Sequence, residues 1–209
     1  SAGYYCALAA PSPKPHCSGS NCTYGICPKG HYCPRASSSP LPCSNGTFMN
    51  HTGASECESC PSGYYCDPRY PTTYFDCPEG HYCPRGTDMT QPKCPQGSYS
   101  SDLNLQRASE CTACDPGMAC TKEGLLEPNR NCSSGYYCPS GSSSTQQHIC
   151  PQGSYCPESS ATPMGCPPGT YSAGYGLKSE DECLSCQSGM YCEGYNNTEP
   201  TGPCYAGYY

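Results

Sequence analysis

The feature that constrains this chain most is a short motif, Cys-Pro-x-Gly-x-Tyr, that recurs along its length. Copies or close variants start at Cys27, Cys43, Cys60, Cys77, Cys94, Cys114, Cys132, Cys150, Cys166, Cys186 and Cys204, at spacings of 16, 17, 17, 17, 20, 18, 18, 16, 20 and 18 residues. So narrow a spread, with the same turn chemistry each time, is the signature of stacked short repeats and not of separate globular domains. Within a copy, Pro presets φ near about −65° and Gly two residues later admits a positive φ. The spacing therefore predicts a tight turn leading into a short strand.

Most copies end this strand on a second cysteine, at Cys33, Cys66, Cys83, Cys120, Cys138, Cys156 or Cys192. Those starting at Cys43, Cys94 and Cys166 carry Met49, Ser100 and Ser172 there, and each runs on to a Cys-x-x-Cys: Cys57 and Cys60, Cys111 and Cys114, Cys183 and Cys186. These three read as joints of a longer super-repeat. They divide the chain into an incomplete block at 1–56, blocks at 57–110 and 111–182, the latter with one extra repeat, and the start of a further block at 183–209.

Composition says what must hold such repeats together. The 209 residues include no Val and no Trp, two Ile, two Phe, five Met and eight Leu. So few large apolar side chains cannot offset the entropy of ordering the chain. Cysteine, at 24 residues, is at the density of a disulfide scaffold in a secreted protein. Twenty Tyr supply much of the remaining apolar surface, and Tyr laid against disulfides is the expected core material. With 23 Gly and 24 Pro favouring turns, the expected fold is small, disulfide-rich and mostly irregular, with short β-hairpins. Stacked in order, repeats of 16–20 residues would build an elongated rod.

Two pairings of the cysteines fit the spacing. The preferred one joins each strand-end cysteine to the first of the next repeat: Cys6 to Cys17, Cys33 to Cys43, Cys66 to Cys77, Cys83 to Cys94, Cys120 to Cys132, Cys138 to Cys150, Cys156 to Cys166 and Cys192 to Cys204. Local pairs Cys22 to Cys27, Cys57 to Cys60, Cys111 to Cys114 and Cys183 to Cys186 then use every cysteine. The alternative closes each turn on itself, as in Cys60 to Cys66, and spans each joint, as in Cys94 to Cys111, but leaves Cys6, Cys17, Cys22 and Cys204 over.

The joints resemble the cysteine-rich repeats of ephrin-type receptors, in which Cys-Pro-x-Gly-x-Tyr-Ser runs to Cys-x-x-Cys. Here those residues are Cys94-Pro95-Gln96-Gly97-Ser98-Tyr99-Ser100 to Cys111-Thr112-Ala113-Cys114, and Cys166-Pro167-Pro168-Gly169-Thr170-Tyr171-Ser172 to Cys183-Leu184-Ser185-Cys186. The opening is also similar to the first module of tumour-necrosis-factor-receptor domains. The form Gly135-Tyr136-Tyr137-Cys138-Pro139 departs from the vertebrate pattern and resembles surface proteins of protists. The resemblance implies an extracellular, extended, modular scaffold and carries over no functional residue.

Other chemistries find little footing. Each Cys-x-x-Cys belongs to an array of Pro-rich turns and lacks the paired knuckle of a zinc site, and no helix is expected that would activate a thiol. His31 and His81 occupy a position that is Tyr in other copies, and His16, His51 and His148 fall in loops. No nucleophile elbow and no calcium-binding alternation of carboxylates occurs. The expectation is no catalytic residue, no metal and no cofactor.

The net charge of −7, with ten scattered Lys and Arg, gives no basic patch for nucleic acid or an anionic membrane. No apolar run is long enough to cross a bilayer, so no direct membrane insertion by this segment is expected. The start at Ser1-Ala2-Gly3 shows no leader and reads as a mature or excised segment.

Five Asn-x-Ser/Thr acceptors, at Asn21, Asn45, Asn50, Asn131 and Asn196, mark expected N-glycans. The stretches Ser37-Ser38-Ser39-Pro40 and Ser142-Ser143-Ser144-Thr145 read equally as O-glycan acceptors or plain exposed loops. Twin tyrosines, notably Tyr4, Tyr5, Tyr208 and Tyr209, are candidate contacts, since Tyr brings much area with few rotatable bonds.

The motif runs into both termini, which reads either as a window of a longer rod or as half-repeats that stack between protomers. The leading expectation is a secreted or cell-surface structural subunit that polymerises with itself head to tail. The alternative is a receptor or adhesin stalk with its contacts at residues 7–26 and 101–109.

Overall fold

A computed structural model describes residues 1–6 and 24–207 of the chain. In each motif from Cys27 to Cys186 the amide of the fifth residue donates to the carbonyl of the second: Tyr64 to Pro61 at 3.2 Å, Ser98 to Pro95 at 3.1 Å and Thr170 to Pro167 at 3.1 Å. The glycine between lies at positive φ, 84° at Gly63 and Gly97, so the turn is of type II, with Gly where that type requires it. At Thr47, Ser98 and Thr170 the fifth residue's hydroxyl bonds the same carbonyl, at 2.7 Å.

After the turn, the fifth and sixth residues pair antiparallel with the two residues that precede the next repeat's first cysteine. The pairs are His31–Tyr32 with Leu41–Pro42, Thr47–Phe48 with Glu58–Ser59, Tyr64–Tyr65 with Phe75–Asp76, and Ser98–Tyr99 with Thr112–Ala113. They continue as Met118–Ala119 with Arg130–Asn131, Tyr136–Tyr137 with His148–Ile149, Ser154–Tyr155 with Met164–Gly165, Thr170–Tyr171 with Leu184–Ser185, and Met190–Tyr191 with Gly202–Pro203. Tyr4–Cys6 pairs with Tyr24–Ile26, and the repeat from Cys77 keeps only the bridge of His81 with Lys93. These are the short β-hairpins expected from the turn chemistry. Among the described residues the only helical turns are 3-10, at Ala108–Glu110 and Glu180–Glu182.

The preferred cysteine pairing is overturned. The described bridges are Cys27–Cys33, Cys60–Cys66, Cys77–Cys83, Cys114–Cys120, Cys132–Cys138, Cys150–Cys156 and Cys186–Cys192, each closing its own turn. Cys43–Cys57, Cys94–Cys111 and Cys166–Cys183 span the joints.

Register explains the outcome. With His31 opposite Pro42, Cys33 faces residue 40, three residues of extended chain from Cys43. Three such residues span about 10 Å, beyond the roughly 7 Å that a disulfide bridges between Cα atoms. The same offset rules out Cys66 with Cys77, Cys83 with Cys94, Cys120 with Cys132, Cys138 with Cys150, Cys156 with Cys166 and Cys192 with Cys204. The pairs Cys57 with Cys60, Cys111 with Cys114 and Cys183 with Cys186 fail because each brackets a strand, Glu58–Ser59, Thr112–Ala113 or Leu184–Ser185. By contrast the type II turn folds Cys60 back to 5.8 Å from Cys66.

Cys22 with Cys27 is excluded because Cys27 holds Cys33. Cys6 and Cys204 are unbridged among the described residues, so Cys192 with Cys204 does not form, and the pair Cys6 with Cys17 reaches outside those residues. Cys17 and Cys22 themselves lie outside the described residues.

Cystines are the core. Cys27, Cys33, Cys60, Cys77, Cys83, Cys94, Cys114, Cys120, Cys132, Cys138, Cys150, Cys156 and Cys166 are fully buried, and Phe48 and the half-buried Tyr64 pack against Cys60 and Cys66. Where the strand-end cysteine is missing, Met49 fills its place against Cys43 and Ala54.

A second turn follows most strands and locks the repeats together. In Cys-Pro-x-Ala/Gly/Ser-Ser/Thr the fourth residue is left-handed: Ala36 at φ 67°, Gly86 at 84°, Gly141 at 83° and Ser159 at 64°. The fifth residue's hydroxyl bonds the Pro carbonyl, as Ser37 to Pro34 at 2.8 Å, Thr87 to Pro84 at 2.6 Å, Ser142 to Pro139 at 2.6 Å and Ser160 to Pro157 at 2.7 Å. The amide at the left-handed position donates to the first cysteine of the preceding repeat: Gly86 to Cys60, Gly141 to Cys114, Ser159 to Cys132 and Gly176 to Cys150, all at 2.8–2.9 Å.

Three further bonds repeat along the chain. Except at Cys94, each new first cysteine donates to the previous repeat's motif glycine, as Cys150 to Gly135 at 2.9 Å, and most of these glycines donate to the new repeat's strand end, as Gly135 to Cys156 at 2.8 Å. The strand end donates one repeat further on, as Cys156 to Leu177 at 2.9 Å. Within each compact unit most repeats are thus bonded to their successors by the same backbone groups. Its motif glycine also touches the repeat after that, with a Cβ at Gly63 meeting the Asn104 oxygen at 2.8 Å and one at Gly135 meeting the Gly176 oxygen at 2.6 Å.

The chain forms two compact units, residues 1–93 with 102–110 and residues 94–101 with 111–209. The fold class is that of a small disulfide-rich, mostly irregular protein built of short two-stranded ribbons. No helix among the described residues is long and apolar enough to cross a membrane.

Candidate functional surface

With backbone polar groups and cysteines used internally, chemistry is left to the side chains that the ribbons turn outward. In the first compact unit two ribbons place six aromatic rings together. Phe48 meets Tyr74 edge-on at 5.1 Å, Tyr74 meets Tyr64 at 4.8 Å, and Phe75 meets Tyr65 at 5.5 Å and Tyr70 at 5.7 Å. Tyr74 is 41% exposed and Tyr70 56%, whereas Phe48 is 6% exposed and forms a floor.

Against Phe48 and Tyr74 opens a groove of about 570 Å³, lined also by Asn50, Glu58, Pro61 and Arg85. Beside Glu58 stands His51, with Nε2 at 3.7 Å from its carboxylate. In the second compact unit, Met118, Asn129, Arg130, Asn131, Thr145 and Glu158 line a shallow groove of about 500 Å³ with no aromatic ring.

Charged groups otherwise serve loops. Asp67 is almost fully buried and takes the Arg69 backbone amide at 2.9 Å and its guanidinium at 2.6 Å, and this pairing holds its carboxyl below the usual range. Glu110 accepts the Gln106 amide at 2.7 Å and Arg107 Nε at 3.0 Å, which lowers its pKa likewise. Tyr99 and Tyr155 donate to Asp115 at 3.3 Å and Glu180 at 3.2 Å, and burial first, then these carboxylates, raises the pKa of both phenols. Among the described residues no three His, Cys, Asp or Glu gather as metal ligands.

The acceptor asparagines fall in different settings. Asn45 is exposed in the turn from Cys43, and Asn50 is exposed on the aromatic groove, and neither side-chain amide takes a hydrogen bond among the described residues. Asn131 is exposed on its strand, with Nδ2 donating to Glu158 Oε1 at 3.3 Å. Asn196 is left-handed at φ 65°, its amide donates to Cys166 at 3.2 Å, and its Oδ1 accepts from Ser154 at 3.3 Å, so it occupies the recurrent left-handed site. Asn21 lies outside the described residues.

Of the candidate contacts, Tyr4 and Tyr5 are half-buried in the first ribbon, while Tyr208 and Tyr209 lie outside the described residues. In the Ser142–Thr145 stretch, Ser142 is 2% exposed and faces inward. Sequence reasoning did not bring Phe48, Tyr74, Asn50 and Arg85 together, because they come from three successive repeats. The only local signal is the pair Phe48 and Asn50, two residues apart.

No family model and no curated protein sequence matches this chain.

Proposed function

We propose that this chain is a structural subunit of an extracellular, N-glycosylated filament or cell-surface coat, assembling with itself head to tail. The observation that carries the reading is the backbone ladder. Within each compact unit most successive repeats use the same carbonyls and amides, as in Gly86 to Cys60, Cys66 to Thr87 and Gly63 to Cys83 at 2.8–3.0 Å. A set of bonds that is passed on unchanged is a heterologous contact, and heterologous contacts that do not close generate fibres. The cystine core suits an oxidising compartment, and the exposed Asn45, Asn50 and Asn131 are accessible to glycans.

Sedimentation and electron microscopy of the secreted, disulfide-intact chain test this. Assemblies should lengthen with concentration, and monomers at every concentration would sink the proposal.

A second reading, a receptor or adhesin stalk, draws on the segment at residues 101–109, where Leu103 is 54% exposed. Saturable binding of a partner, lost on Leu103→Asp, would favour it.

A further inference from the structure

The aromatic groove of the first compact unit has no partner in the ladder. It is an open groove of about 570 Å³, lined by Phe48 and Tyr74, with Glu58 and Arg85 exposed on its rim. The composition is particular: an aromatic wall beside a carboxylate and a guanidinium. Aromatic faces accept the apolar C–H face of a pyranose, while charged rim groups bond its hydroxyl and amide groups.

One residue lining this groove is Asn50, which begins the acceptor Asn50-His51-Thr52. We propose that the groove seats the innermost N-acetylhexosamine of a glycan carried by Asn50 itself. The glycan then covers the Tyr74 face and serves as part of the fold. The occupant follows from tethering. A sugar linked to Asn50 is held beside the groove at a very high effective concentration, which a free saccharide cannot match.

The other described acceptors lack one element or another. Asn45 sits in a turn and does not line the groove. Asn131 lines a groove without aromatic rings and its amide is engaged by Glu158. The Asn196 side chain is packed on Gly165, where a Cβ would meet its Cγ at 2.8 Å. Asn50 alone among them joins an unengaged amide to an aromatic wall.

This inference rests on the chain being a secreted glycoprotein and is independent of whether it polymerises. The test uses the chain secreted from a eukaryotic host and digested undenatured with peptide N-glycosidase, with release followed site by site by mass spectrometry. Release at Asn50 should be at least about tenfold slower than at Asn45. The two rates should converge in Tyr74→Ala and after reduction and denaturation, whereas Tyr74→Phe should keep the protection.

Equal native rates at the two sites overturn the proposal, and so does protection that survives Tyr74→Ala. An empty Asn50 with glycans at Asn45 and Asn131 overturns it while leaving the secreted-glycoprotein reading intact. A chain with no glycan at any site overturns both.

Discussion

Substituting one motif glycine whose new Cβ would strike a later repeat and one whose new Cβ would meet nothing separates backbone strain from repeat-to-repeat packing. Gly135 and Gly169 have nearly the same φ, 84° and 83°, so an alanine at either meets the same left-handed penalty of about 1–2 kcal/mol. They differ in what the new Cβ touches. At Gly135 it meets the Gly176 carbonyl oxygen at 2.6 Å, and at Gly169 nothing lies within 4 Å.

Relieving the clash moves the loop that carries two ladder bonds, Gly176 to Cys150 at 2.8 Å and Cys156 to Leu177 at 2.9 Å. With about 1 kcal/mol for each bond and about 1–3 kcal/mol for overpacking, the local excess at Gly135 is about 2–4 kcal/mol if one bond or the clash is partly relaxed. That is about a 30- to 700-fold loss of hydrogen-exchange protection at the Cys156 and Gly176 amides in Gly135→Ala, measured by mass spectrometry with the disulfides intact. Gly169→Ala should leave these amides unchanged. Equal loss in the two variants would refute the claim that the second turn locks the repeats.

Three further outcomes are expected. Non-reducing peptide maps should contain Cys60–Cys66 and Cys94–Cys111, and replacing both cysteines by Ser should cost about 2 kcal/mol for the six-residue closure and about 3 kcal/mol for the 17-residue one, read by denaturant unfolding. The Asp67 carboxyl is depressed in the fold by Arg69, so its stabilising share is present above the ordinary carboxylate pKa and is lost as pH falls through the lowered folded value. Exchange at the Arg69 and Tyr70 amides should therefore show an acid step that Asp67→Asn abolishes. Asn104, left-handed at φ 64°, accepts the Cys77 amide through Oδ1 at 3.0 Å, so Asn104→Gly should cost about 1 kcal/mol and Asn104→Val distinctly more, by thermal unfolding.

The motif turn was legible in the sequence because everything it needs lies within seven residues. Pro61 to Tyr64 closes a hydrogen bond across a glycine that must be left-handed, and the strand that follows has little choice of direction. The reliance on cystine in place of an aliphatic core was legible too, since no other residue type could fill it. The second turn was half legible. Gly53, Gly86, Gly124, Gly141 and Gly176 recur nine or ten residues after most first cysteines, but Ala36, Asn104, Ser159 and Asn196 at the same place hide the pattern.

Cysteine pairing was decided by the tertiary structure alone. Sequence spacing leaves Cys33 free to reach either Cys27 or Cys43, and only the register of His31 on Pro42 carries Cys33 away from Cys43. The aromatic groove belongs to the same category, because Phe48, Tyr74 and Arg85 meet only after three repeats have stacked. The sequence by itself determined the turn, its period and the cystine core, which are set by local backbone sterics and composition. Which thiols meet, and which side chains share a surface, depends on hydrogen-bond register between segments far apart in the chain, and that only the folded ladder decides.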